Sequence, residues 1–71
     1  MDISKEIRQR REELGISQEL LAEVSSLSLR TLKTLESGKG NPTLASIKKL
    51  TEVLGLELKI QVKSNEESRS L

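Results

Sequence analysis

Arg30, Lys33 and Thr34 recur at helical spacing between Ser28 and Gly38, so one short helix would lay a guanidinium, an ammonium and a hydroxyl along a single surface. All three groups donate hydrogen bonds and two are cationic. Their chemistry is recognition of an anionic, acceptor-rich partner. A guanidinium can form a fork on O6 and N7 of guanine, worth about 1–3 kcal/mol of discrimination against the wrong base. An ammonium is a point charge better suited to phosphate. Arg30 is therefore the best candidate for reading a base, and Lys33 and Lys39 serve affinity more than sequence. Thr34 either reaches a base edge or covers the surface. The chain has no cysteine and no histidine. This excludes disulfides, thiolate or imidazole metal sites, and Cys or His nucleophiles and general bases. No paired-carboxylate pattern stands out, so no enzyme activity, metal or cofactor is expected. The absence of Phe, Tyr and Trp removes aromatic stacking on unpaired bases and argues against single-strand and RNA-binding modules.

The net charge of +1 hides an uneven distribution. Residues 2–25 carry four bases against six acids, whereas residues 26–49 carry Arg30, Lys33, Lys39, Lys48 and Lys49 against Glu36 alone. A basic segment in a near-neutral chain suits a polyanion, although charges alone would equally describe a solvated helix face. Seventy-one residues make one small domain with a marginal, aliphatic core. With disulfides and thiolate or imidazole metal sites excluded, a second copy is the natural supplement to stability. No apolar run approaches the roughly 18 residues of a membrane span, and the first residues lack a secretory apolar region. A cytoplasmic location without membrane contact is expected.

Stops and caps set the elements that must position the cationic stripe. A first helix over 3–14 is capped by Asp2 and stopped by Gly15, with Ile3, Ile7 and Leu14 on one face. Arg10 and Arg11 flank that face, so each needs an acid or a route to solvent. A second helix over 18–24 follows the N-cap Ser17, with Leu20, Leu21 and Val24 as its apolar side. Ser25, Ser26 and Leu27 form a turn, and Ser28 caps a third helix over 29–37 that ends at Gly38. A fourth, over 44–54, begins at Thr43, ends at Gly55 and buries Leu44, Ile47, Leu50 and Leu54. Two short helices about a three-residue turn, the second carrying the cations, form the helix-turn-helix arrangement that reads a DNA major groove.

After Gly55 the period changes. Leu56, Leu58, Ile60 and Val62 alternate with Glu57, Lys59, Gln61 and Lys63, which gives one apolar face only on a strand. A lone strand cannot satisfy its own backbone groups. Residues 56–63 are therefore read as a dimerisation strand that pairs antiparallel with its copy across a homodimer; a frayed tail or another helical turn is the alternative. Residues 64–71 are polar and expected to be disordered.

Arg11, Leu14-Gly15-Ile16-Ser17-Gln18, Leu21-Ala22, Leu27-Ser28, Thr31-Leu32, Leu35-Glu36-Ser37-Gly38-Lys39 and Asn41-Pro42-Thr43-Leu44 together resemble the XRE/Cro–C1-type helix-turn-helix family, without gaps over about residues 5–55. The resemblance implies an all-α fold, a four- to five-helix repressor-like domain over 1–55, with the strand appended. It implies that Leu29, Arg30, Lys33 and Thr34 face DNA. Gln18, Ser28, Thr31, Ser37 and Lys39 would contact phosphates, Gln18 also bracing the recognition helix. Arg11 and Glu36 match a structural salt bridge, and Ala22 is the small residue that lets the helices cross closely. Leu29 stays ambiguous between the edge of the core and a thymine methyl. Two positions depart from the pattern: Ser26 replaces the usual turn glycine and must tolerate a left-handed backbone, and Arg10 stands where a leucine is common and must snorkel.

The run LESGKGNPTLASIKKLTEVLGLELKIQV is similar to the HipB-type antitoxins, which repress their own operon and bind a HipA-type kinase toxin. The expected function is thus a sequence-specific, double-stranded DNA-binding repressor on a partly palindromic operator, acting as an autoregulating antitoxin. The alternative is a protein-interaction module that neutralises a toxin or enzyme, with DNA binding secondary.

Overall fold

The computed structural model describes residues 3–59, which form four helices: α1 (Ile3–Glu13), α2 (Gln18–Val24), α3 (Leu29–Glu36) and α4 (Leu44–Leu54). Hydroxyls start three of them. Ser17, Ser28 and Thr43 sit in extended backbone and accept hydrogen bonds from the amides of Leu20, Thr31 and Ser46, meeting a donor that each first turn cannot satisfy itself. Gly55 closes α4 in the left-handed region at φ 70°, and the Leu56 amide donates to Thr51 O at 2.9 Å. Together these ties satisfy the final turn. Asp2, expected to cap α1, lies outside the described residues. The remaining boundaries match the sequence reading to within one residue, Ser37 being the C-cap of α3.

The helices α2 and α3 pack on each other, α1 lies against α3 and α4, and α2 also meets α4. Ile7, Leu21, Ala22, Leu32, Leu35, Ile47, Leu50 and Leu54 form the core, with Ile3, Ile16, Leu27 and Leu56 packed around it. Each large aliphatic side chain removed from water here contributes about 1.5–3 kcal/mol.

Four expected core positions are corrected. Leu14, Leu20, Val24 and Leu44 are exposed. α1 stops at Glu13, which puts Leu14 in the following turn. α2 buries only Leu21 and Ala22, so Leu20 and Val24 fall on its far side. Leu44 is the first residue of α4 and sits above the packed layer. Conversely, Thr51 is buried within α4, and its hydroxyl donates to Lys48 O at 3.0 Å, which offsets the cost of its burial. Of the expected strand, residues 56–59 are irregular and residues 60–63 lie outside the described part; no strand occurs among the described residues. The 64–71 tail also lies outside it.

Candidate nucleic-acid interface

The turn between α2 and α3 fixes how the cationic helix is presented. Ser26 has φ 58°, the left-handed conformation that the missing glycine would take without strain. The turn is held by the Leu27 amide on Ala22 O at 2.9 Å and the Ser26 amide on Glu23 O at 3.1 Å. Ala22 is buried, and its small side chain allows α3 to lie close across α2.

α3 divides its residues sharply. Leu32, Leu35 and Glu36 are buried, whereas Arg30, Thr31, Lys33, Thr34 and Ser37 are exposed. The 100° helical step puts Arg30, Lys33, Thr34 and Ser37 on one outward face, with Thr31 at its margin. Leu29 is half-buried, and the partly buried residues packed on the core are Ile3, Ile16, Leu27 and Leu56. It therefore sits at the border between the two faces. No acid occupies the first turn of α3, so the positive end of its backbone dipole adds to Arg30. Among the described residues the ion pairs are Arg10–Glu13, Arg11–Glu36 and Lys59–Glu57; Arg30, Lys33 and Lys39 take part in none of them. A shallow open cleft of about 220 Å³ brings Arg30, Thr31, Thr34 and Lys39 together with Asn41 and Pro42.

The hydroxyls at the rim are partly committed. Ser28 Oγ donates to Thr31 Oγ1 at 2.8 Å and accepts from the Thr31 amide at 3.1 Å. Since Thr31 Oγ1 acts as acceptor in that pair, its own proton is available to an anion. Ser37 Oγ donates to Thr34 O at 2.7 Å, so its proton serves the helix end. Among the expected phosphate ligands, Thr31 and Lys39 reach the cleft, Ser28 and Ser37 act as caps, and Gln18 is turned inward.

That inward turn belongs to a brace beneath the interface. Arg11 Nε and Nη2 donate to the two Glu36 carboxylate oxygens at 2.8 and 3.0 Å, the fork-on-carboxylate geometry that only arginine provides. Arg11 Nη1 donates to Ile16 O at 2.9 Å, and Gln18 Nε2 donates to Glu36 Oε1 at 3.0 Å. Glu36 has 3% of its side chain exposed and Arg11 13%, so this pair is shielded from solvent. The hydrogen bond to Glu36 raises the Arg11 pKa above its usual value, outweighing the opposing effect of burial. Because the folded-state pKa is raised, this contribution is present through neutral pH and is lost as pH rises through the guanidinium range. The expected salt bridge and the bracing by Gln18 are thus both formed by one buried carboxylate.

Arg10 behaves differently from the sequence reading. Its Nε donates to Leu54 O at 2.9 Å, and Nη1 reaches Glu13 at 3.4 Å. It caps the end of α4 where simple snorkelling was expected. The signal was present in the general need of terminal helix carbonyls for donors, but nothing local in sequence connects residues 10 and 54. Among the described residues no cluster of acidic residues is placed to hold a metal, and no helix is long and apolar enough to cross a membrane.

Comparison with known proteins agrees with this geometry. The model of the helix-turn-helix family matches residues 7–60, a span that contains all four elements except the first turn of α1. A relative described as an uncharacterized HTH-type transcriptional regulator, from Methanothermobacter thermautotrophicus, is 39% identical over 51 residues, covering 72% of this chain and 74% of the relative.

Proposed function

The chain belongs to the helix-turn-helix family, and from that premise we propose that it is a sequence-specific double-stranded DNA-binding transcription regulator that works as a repressor. The observation that carries this reading is the outward face of α3, where Arg30 and Lys33 have no acidic partner among the described residues and the helix is fixed from behind by Glu36. An unpaired guanidinium on a rigid exposed helix suits a base edge, while Thr31 and Lys39 in the adjoining cleft suit the phosphates that set register. Leu29, at the border of the face, lies where a thymine methyl could cover it. Selection of bound duplexes from a random pool, followed by anisotropy titration, tests the proposal. Enrichment of a motif containing guanine is expected; binding without sequence preference overturns it.

The operator would be partly palindromic, because residues 56–63 pair with their counterpart in a second copy and set two recognition helices about 34 Å apart. The alternation of Leu56, Leu58, Ile60 and Val62 supports this homodimer. Light scattering that gives a monomer at micromolar concentration, or an intact dimer after deletion of residues 56–71, would overturn it. The finer reading, an autoregulating antitoxin that binds a HipA-type kinase toxin, rests on the likeness of residues 35–62 to HipB-type proteins. Co-purification with a kinase encoded next to it checks that part, and failure to recover such a partner counts against it.

A further inference from the structure

The helix faces behind the DNA-binding surface leave an apolar groove. Ile3 and Ile7 from α1, Ile47 and Thr51 from α4, and Leu56 and Leu58 from the following chain line it, with Glu6 and Glu57 at its rim. Its volume is about 100 Å³, and the aliphatic side chains that dominate its lining suit an aliphatic occupant. Leu58 at its mouth is 37% exposed. An occupant should be aliphatic and flanked by bases.

The chain itself carries such a segment directly after the groove: Lys59, Ile60, Gln61, Val62 and Lys63. It is not suited to the groove of its own copy, because Leu56 and Leu58 already serve as the walls. Extended at about 3.3 Å per residue, Ile60 and Val62 would be carried some 7 and 13 Å beyond Leu58. Under a two-fold axis the same segment of another copy arrives from the opposite side, and each copy gives one segment and receives one. The rim charges favour this. Glu57 already faces Lys59 of its own chain at 3.2 Å, while Glu6 takes part in none of the ion pairs among the described residues.

We infer that the groove between α1 and α4 is the seat of Ile60 and Val62 from a second copy of this chain, with Glu6 facing the lysines of the incoming segment. The inference rests on residues 56–63 forming the dimer element and adds the surface that receives it. It makes α1, remote in sequence from that element, part of the interface.

Sedimentation equilibrium of the full chain, followed by interference optics, tests this with Glu6→Lys, Ile3→Asp and Val62→Asp. Glu6 is exposed, so Glu6→Lys keeps the test open even where Ile3→Asp weakens folding; circular dichroism melts check both. The expected result is a dimer dissociation constant raised about tenfold or more by each α1 variant, with binding to a single DNA half-site unchanged. If both α1 variants dimerise as tightly as the unaltered chain while Val62→Asp abolishes the dimer, the segment pairs without the groove, and this inference fails although the dimer reading stands. If the unaltered chain is monomeric at micromolar concentration, both fail.

Discussion

Two of the arginines of α1 and the arginine of α3 are used in opposite ways. Arg10 and Arg11 spend their donors inside the molecule, on Leu54 O and on Glu36, whereas Arg30 is exposed and takes part in none of the ion pairs among the described residues. A guanidinium that is forked and shielded acts as a strut, and removing it leaves a buried charge behind. A guanidinium with no internal partner adds little to folding and keeps all its donors for a ligand. Charge count does not separate the two, since Arg10 and Arg11 add to the basic count of the N-terminal third although both are engaged inside the molecule.

The largest effect should come from breaking the strut. Arg11→Met strands Glu36 in a buried site and should lower the unfolding free energy by about 3 kcal/mol, a large share of the roughly 4–10 kcal/mol expected for a chain of this length. Urea denaturation measures this. Replacing both partners, as Arg11→Met with Glu36→Leu, should recover most of the loss, because an apolar pair leaves no uncompensated charge. A double variant as unstable as the single one would mean that the pair does more than fill a buried site.

Arg30→Ala should do the reverse. Its melting curve should stay within about 0.5 kcal/mol of the parent, while binding to the selected duplex weakens by about 1–3 kcal/mol and the preference at one base pair relaxes. Unchanged affinity and specificity would remove Arg30 from the reading face. Lys39→Ala should weaken specific and random duplexes alike and reduce the slope of log affinity against log salt by about 0.9. A loss confined to one sequence would instead make Lys39 a base reader.

The smaller effects fall within the scaffold. Arg10→Met should cost about 1 kcal/mol by leaving Leu54 O without its donor, and faster hydrogen exchange should appear in the last turn of α4 before it appears elsewhere. Ser26→Gly should stabilise by about 0.5–1 kcal/mol, because glycine takes the positive φ without the steric cost of a Cβ. A lower melting temperature in that variant would show that the serine side chain contributes to the turn.

The helix order was legible because its signals are local. Ser17, Ser28 and Thr43 each cap the helix that follows, and Gly55 ends α4, so the boundaries of all four helices could be read within a residue. Arg11–Glu36 was legible for another reason: a covered guanidinium asks for an acid, and the pattern shared with the family supplied the position. Which leucines are buried was less legible. Leu20 and Val24 share a helical stripe, yet a seven-residue helix turns only one narrow side to its neighbours, and tertiary packing chose Leu21 and Ala22. Arg10 was missed because its acceptor is a backbone carbonyl, which has no sequence signature. The hydroxyls of Ser28 and Ser37 fit a phosphate-binding pattern equally well before and after folding; only the hydrogen bonds to Thr31 Oγ1 and Thr34 O show that both also serve the helix.

The two struts also bear on how the chain is made. Arg11 finds its carboxylate 25 positions later and Arg10 finds its carbonyl 44 positions later. During synthesis α1 therefore leaves the ribosome well before either acceptor exists, and no fragment that ends before Leu54 can satisfy both guanidiniums. Although built from short helices that close locally, the domain becomes complete only when the end of α4 has emerged.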